Sequence, residues 1–329
     1  MNIVSNRKFL LYLGKAIVLL LTLFFLYRQI FAAPDTLLSW AGIWREAFAS
    51  PVRYLLLLTA LLIPVNWGFE ARKWQLLGSK VERMSFTRAY KAVMVGLTLG
   101  FITPNRIGDY AGRVLVLKSR QRLDAIGAIF IGRFSQLVAT VLVGTGGLFY
   151  FIIQFYWHLY PEVCMSVVLL LLALNGAMLL LLYNARAMVA LVAAVQPLRK
   201  VVRYVAIMNR YSTREVTRLL WLSLGRYLVF LTQFVLLLYL FQVRLPLVQY
   251  LSGVSGTFFL KSMAPSVTII SDLGVRELSA MYLFGLLGQE RLQVLSASLS
   301  LWLLNIAVPS AIGLIFVFRV KFFRKGKNR

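Results

Sequence analysis

The sequence predicts an all-α polytopic membrane protein, with about six full spans plus two re-entrant hairpins in two inverted-topology repeats and both termini cytoplasmic. Three observations carry that expectation. Hydrophobic residues make up 60% of the 329, and the mean hydropathy is +0.77, outside the range of ordinary soluble domains. Several apolar runs reach the roughly 20 residues that a helix needs to cross a bilayer. Two other apolar runs are cut short by proline and glycine, around Pro104 and Gly108 and again around Pro265 and Gly274. Broken backbone at membrane depth persists only where it is buried in protein or lines a wet cavity, so each break marks a site.

Taken in order, Arg7 and Lys8 precede a first apolar stretch at 9–33, too long for the roughly 7–15-residue apolar region of a signal peptide. It reads as a retained span entering from inside. With the nearly neutral loop bearing Asp35, Trp40, Trp44, Arg45 and Glu46, it makes a first unit at 1–51. A second span at 52–69 returns the chain to a basic cluster of Arg72, Lys73, Lys80, Arg83, Arg88 and Lys91. The arm at 92–102 is too short to cross and has basic flanks, so it should enter and turn back at Pro104. A long span at 125–155 closes this repeat, 52–155, with Arg133 inside its apolar length.

A linking unit at 156–218 holds a short outer turn with Trp157, His158 and Tyr160 and a span at 163–183. A basic amphipathic segment at 186–218, interrupted at Pro197, is expected on the inner leaflet. The second repeat, 219–318, begins with a span at 219–241 carrying Arg226. An arm at 247–263 follows, ending at Ala264-Pro265, then a short helix to residue 287 and a last span at 292–318. The tail at 319–329 is strongly basic and expected inside. Span, short arm, proline break, charged glycine turn and long span thus occur twice, with the charged sides reversed.

The net charge of +25 comes largely from Lys and Arg in loops beside apolar runs, which set membrane orientation, so nucleic acid is not an expected partner. A lone Cys164 and a lone His158 exclude an internal disulfide and a His/Cys metal cluster; no metal or other cofactor is expected. His158 among interfacial aromatics reads as an interface side chain.

Arg133 and Arg226 lie within spans, where a guanidinium costs several kcal/mol on insertion scales, about 2.5–3.5 at the helix centre, unless it meets water or a counter-charge. Each reads as a ligand contact, or as the partner of a carboxylate such as Asp109 or Glu277; Arg226 also reads as snorkelling to the inner surface. Arg106 and Arg113 flank a glycine turn and suit a phosphate, with positive-inside anchoring or an ion-pair lattice around Asp109 as the alternatives. At the second break, Asp272, Arg276 and Glu277 begin a helix, where acids cap the positive end of the dipole. Glu277 could also exchange protons or repel an anion. Lys261 is the cation on that side, facing the site or snorkelling outward.

Trp74 after Arg72, Pro104-Asn105-Arg106-Ile107-Gly108-Asp109 through Arg113, Arg133 in the next span, and Pro265 through Gly274-Val275-Arg276-Glu277 together resemble the transmembrane region of the lysylphosphatidylglycerol synthase family. That flippase-like region also occurs as stand-alone integral membrane proteins. The resemblance covers most of the chain and implies movement of a lipid between leaflets. The bifunctional members add a soluble aminoacyl-transfer domain with no counterpart here, so synthase activity is not expected to carry over.

The function expected is that of a lipid flippase or translocase moving an anionic phospholipid or polyprenyl-phosphate lipid in a bacterial cytoplasmic (inner) membrane. The alternative is a non-transporting subunit or scaffold binding lipid or a partner enzyme. A second copy of the chain or a membrane enzyme is the candidate protein partner. No nucleophile constellation is found, so an enzyme is not expected.

Overall fold

The computed structural model describes residues 34–103, 106–119, 122–196, 199, 202–263 and 274–319, and every regular element among them is helical. The elements are α1 (Pro34–Ala49), α2 (Tyr54–Gly78), α3 (Phe86–Phe101), α4 (Ile107–Val116), α5 (Ala125–Phe151), α6 (Pro161–Tyr183), α7 (Ala185–Ala194), α8 (Val202–Val205), α9 (Thr213–Leu240), α10 (Leu247–Met263), α11 (Val275–Leu286), α12 (Arg291–Trp302) and α13 (Val308–Arg319). The five-residue π-helical segment Ile152–Tyr156 prolongs α5, and another, Leu303–Ala307, joins α12 to α13. Five stretches, Tyr54–Gly78, Arg122–Tyr156, Pro161–Tyr183, Thr213–Leu240 and Arg291–Phe318, are long and apolar enough to cross a membrane. The expected span at 9–33 and the basic tail beyond residue 319 lie outside the described residues, as do Pro104 and Pro265.

Two boundaries differ from the sequence expectation. The second span runs on to Gly78 rather than stopping at residue 69, because its polar residues fall on one buried face; Glu70 and Lys73 are buried while Arg72 is exposed. Lys73 is therefore no part of a solvated basic cluster. The fourth long helix begins at Thr213 rather than 219, where Ser212 and Glu215 form a reciprocal capping box. The basic segment before it, expected to be interrupted at Pro197, contains α7, α8 and a 3₁₀ stretch, Ala206–Arg210.

The arms are short: 16 and 10 residues in α3 and α4, 17 and 12 in α10 and α11. Within each pair the helices pack on each other, and the first does so at backbone distance. A methyl placed on Gly112 would fall 2.6 Å from Gly96 Cα, and one on Gly96 would fall 2.3 Å from Asp109 Oδ1. Small residues four apart let two helices approach this closely. Arg88 of α3 then donates to the Val116 carbonyl at the end of α4 (2.9 Å) and pairs with Glu82, whose carboxylate also accepts the Lys118 and Ser119 N–H groups.

Packing between the two halves is reciprocal. The first arm α3 lies on α13, where Thr98 donates to the Ser310 carbonyl (2.9 Å) and Gly313 faces Met94 and Thr98. The corresponding arm α10 lies on α5, where Gly144 and Gly147 face Phe259 and Ser255. Helices α2 and α9 pack on each other between these contacts. Buried apolar side chains gather in three clusters: one on α2, α3 and the start of α5 around Trp67 and Trp74, one on α9 to α12 around Phe234 and Phe284, and one joining α5, α6 and α10 around Val141, Leu182 and Phe259. By contrast α6 leaves four of its nine leucines exposed, Leu169, Leu170, Leu172 and Leu180, as a lipid-facing helix does.

Candidate functional site

The site starts from one face of α2. Asn66, Glu70 and Lys73 are spaced four and three apart, so a 3.6-residue helix stacks them on one side. Glu70 is 4% exposed and meets three cations: Lys73 Nζ at 3.1 Å, Arg113 Nη1 at 2.9 Å and Arg226 Nη1 at 2.8 Å. Lys73 also donates to Gln136 Oε1 on α5 (3.0 Å).

The first hairpin supplies the next layer. Arg106 adopts the left-handed conformation (φ 55°, ψ 31°), turning the chain into α4, and the Thr103 hydroxyl accepts the Gly108 N–H at 2.7 Å. Asp109 and Arg113, one turn apart, bond through Asp109 Oδ1 and Arg113 Nε at 2.8 Å. The second Asp109 oxygen takes Arg133 Nη2 of α5, also at 2.8 Å. Arg133 Nη2 also reaches the Arg106 carbonyl (3.4 Å), and its guanidinium lies 4.7 Å from the Tyr110 ring centroid. Asp109 fits between α3 and α4 only because Gly96 and Gly100 carry no side chain.

From α9, Arg226 donates Nε to Asn66 Oδ1 (3.1 Å) and Nη1 to Glu70, with its guanidinium 5.0 Å from the Trp67 ring. Asn66 Nδ2 in turn donates to Asn305 Oδ1 (2.9 Å), and the Trp67 indole N–H to the Asn305 carbonyl (3.1 Å). Asn305 lies in the π-helical segment Leu303–Ala307, whose wider turn releases that carbonyl from the regular ladder. One polar network thus joins α2, α4, α5, α9 and the last span.

The second hairpin is more self-contained. Arg276 grips the neighbouring Glu277 (2.6 Å) and donates to the Ser298 hydroxyl (2.9 Å) and carbonyl (3.0 Å) of α12. Glu277 accepts the Gly274 N–H at 2.8 Å, where Gly274 takes a positive φ of 102° at the start of α11. Capping, expected for Asp272, is performed by Glu277; Asp272 itself lies outside the described residues.

Between the hairpins and the spans lies a cavity of about 320 Å³. Of the expected site residues, Arg106, Asp109, Arg113, Arg133, Arg226, Lys261 and Arg276 line it; Glu277 stands behind Arg276 rather than on the wall. Arg226 faces this cavity, not the inner surface by snorkelling, and its acidic partner is Glu70, not Asp109 or Glu277. Seven basic side chains and two acids line the space. Sequence reasoning missed Glu70, Lys73, Asn66 and Asn305. Their signal was the three-and-four spacing of polar residues along an apolar helix. Among the described residues no group of three or more His, Cys, Asp or Glu side chains could hold a metal ion.

Such an arrangement suits an anion. Isolated charges buried in apolar surroundings cost several kcal/mol each, and Glu70 and Asp109 hold most of the guanidiniums in place with satisfied hydrogen bonds. The remaining positive charge faces the cavity.

No curated protein and no solved structure matches the sequence. The family model for the lysylphosphatidylglycerol synthase TM region matches residues 10–313. The chain belongs to that family and is an integral membrane protein.

Proposed function

We propose that this family member is a lipid translocase: it binds the anionic headgroup of a membrane lipid in the central cavity and passes it between leaflets without changing it chemically. The observation that carries this reading is a cavity inside an apolar helical bundle lined by seven basic and two acidic side chains. A soluble anion has little reason to need so apolar a shell, whereas a lipid keeps its tails in the bilayer while its headgroup crosses a polar path. The two repeats are inverted, so that the α3–α4 hairpin enters from the cytoplasmic side and the α10–α11 hairpin from the other. The reciprocal seating of α3 on α13 and α10 on α5 supports this relation, as does the family. On this reading both termini are cytoplasmic, the membrane is the inner membrane of a bacterium, and Arg106, Arg133, Arg226 and Lys261 meet the headgroup.

The test is reconstitution of the purified full chain into liposomes carrying a trace of fluorescent anionic lipid, with a membrane-impermeant quencher outside. The protein should render inner-leaflet label quenchable, and Arg133→Ala or Arg106→Ala should slow this at least tenfold while the melting curve stays cooperative. Folded protein that leaves the label protected would end the proposal.

A further inference from the structure

We infer that the headgroup is a terminal phosphate carrying two negative charges, a phosphate monoester, rather than the singly charged phosphodiester of common anionic phospholipids. This deepens the translocase reading and rests on it.

The first support is charge. Seven basic side chains line the cavity against Glu70 and Asp109. Setting Glu277, and even Asp272 of the adjoining segment, on the acidic side still leaves three positive charges in excess. A single negative charge offsets only one of the three, whereas a dianion offsets two.

The second support is geometry. Arg226 spends Nε and Nη1 on Asn66 and Glu70, and Arg133 spends Nη2 on Asp109 and the Arg106 carbonyl. Their side chains are nevertheless 21% and 34% exposed, which leaves guanidinium edges facing the cavity from α9 and α5. Arg106 adds a third direction from the first hairpin and Lys261 a fourth from the second. A monoester presents three terminal oxygens to donors converging from several sides, each suited to the guanidinium fork. In a diester two of the four oxygens are bridging, with carbon on their far side, and only two remain for strong charge-assisted bonds.

The experiment measures binding to the full chain in nanodiscs of phosphatidylcholine, doped with phosphatidate or with phosphatidylglycerol of the same acyl chains, read by thermal shift and by native mass spectrometry. Phosphatidate should reach half-saturation at a mole fraction at least tenfold lower, and Arg106→Gln should cut that preference severalfold. Glycerol 3-phosphate in solution should compete only weakly. Equal affinity for the two lipids would overturn the monoester assignment while leaving the anionic-lipid reading intact. Tight, lipid-independent binding of glycerol 3-phosphate would overturn the assignment to a lipid while keeping the phosphate chemistry. Failure of both lipids to bind would overturn both.

Discussion

The two hairpins occupy corresponding places in their halves, yet they use charge differently. In the first, Asp109 and Arg113 reach outward, tying α4 to α2, α5 and through Glu70 to α9. In the second, Glu277 and Arg276 satisfy each other and cap their own helix, and among the described residues their side chains bond beyond it to Ser298. The backbone packing differs as well: Gly96 and Gly112 bring α3 and α4 almost to contact, while α10 and α11 meet through Phe284 over Gly253 and Leu283 over Gly256. One architectural plan has thus produced a hairpin tied into the central polar network on one side and a hairpin whose charged residues pair locally on the other.

Perturbing each side separately sharpens this contrast. The largest effect is expected at Glu70→Gln, which strips the counter-charge from Lys73, Arg113 and Arg226; breaking a buried pair costs about 3–5 kcal/mol, and here three cations lose their partner. Thermal melting in detergent should show a sharply lowered midpoint, and an unchanged midpoint would remove the distinction between the hairpins. Glu277→Gln should cost less, about 1.5–3 kcal/mol for a charge-assisted bond, because the loss stays within one turn and Ser298 remains with Arg276.

A glycine pair probes the packing. Gly112→Ala drives a methyl into the Gly96 backbone and should destabilise by roughly 1–3 kcal/mol, as overpacking does. Gly285→Ala in α11 meets nothing within 4 Å and should be neutral or stabilise by up to about 1 kcal/mol through helix propensity.

A small loss is also expected at the loop behind the first hairpin. Burial pushes the Glu82 carboxyl up, but Arg88 and the Lys118 and Ser119 N–H groups outweigh it and hold Glu82 below the usual carboxylate range. Its contribution is therefore present at neutral pH and fades as pH falls below about 4.3, the ordinary glutamate value. Glu82→Gln should lower the midpoint slightly at pH 7, by under about 1 kcal/mol for a partly exposed pair, and the gap to the parent protein should shrink at acid pH.

Hydropathy revealed the long helices because lipid-facing runs such as 163–183 need no tertiary information to be recognised. The hairpins were legible through Pro104, Gly108 and Gly274, and the cavity cations through their improbability inside apolar runs. Glu70 escaped because the string Glu70-Ala71-Arg72-Lys73 looks like the charged end of a span. Only helical phase separates exposed Arg72 from buried Glu70 and Lys73, and phase matters only once the helix is known to continue. Asn305 was hidden for a different reason. The role of its carbonyl depends on a π turn, a product of packing between distant helices that local sequence does not encode.

The exchange of arms between halves, α3 seated on α13 and α10 on α5, makes neither half a portable module. Severed in the linking segment between Ala194 and Val202, each fragment would present a glycine-notched groove shaped for a helix that it no longer carries. The natural filler of each groove is the other fragment, so the two pieces should be degraded when made singly and should complement each other when made together in one cell.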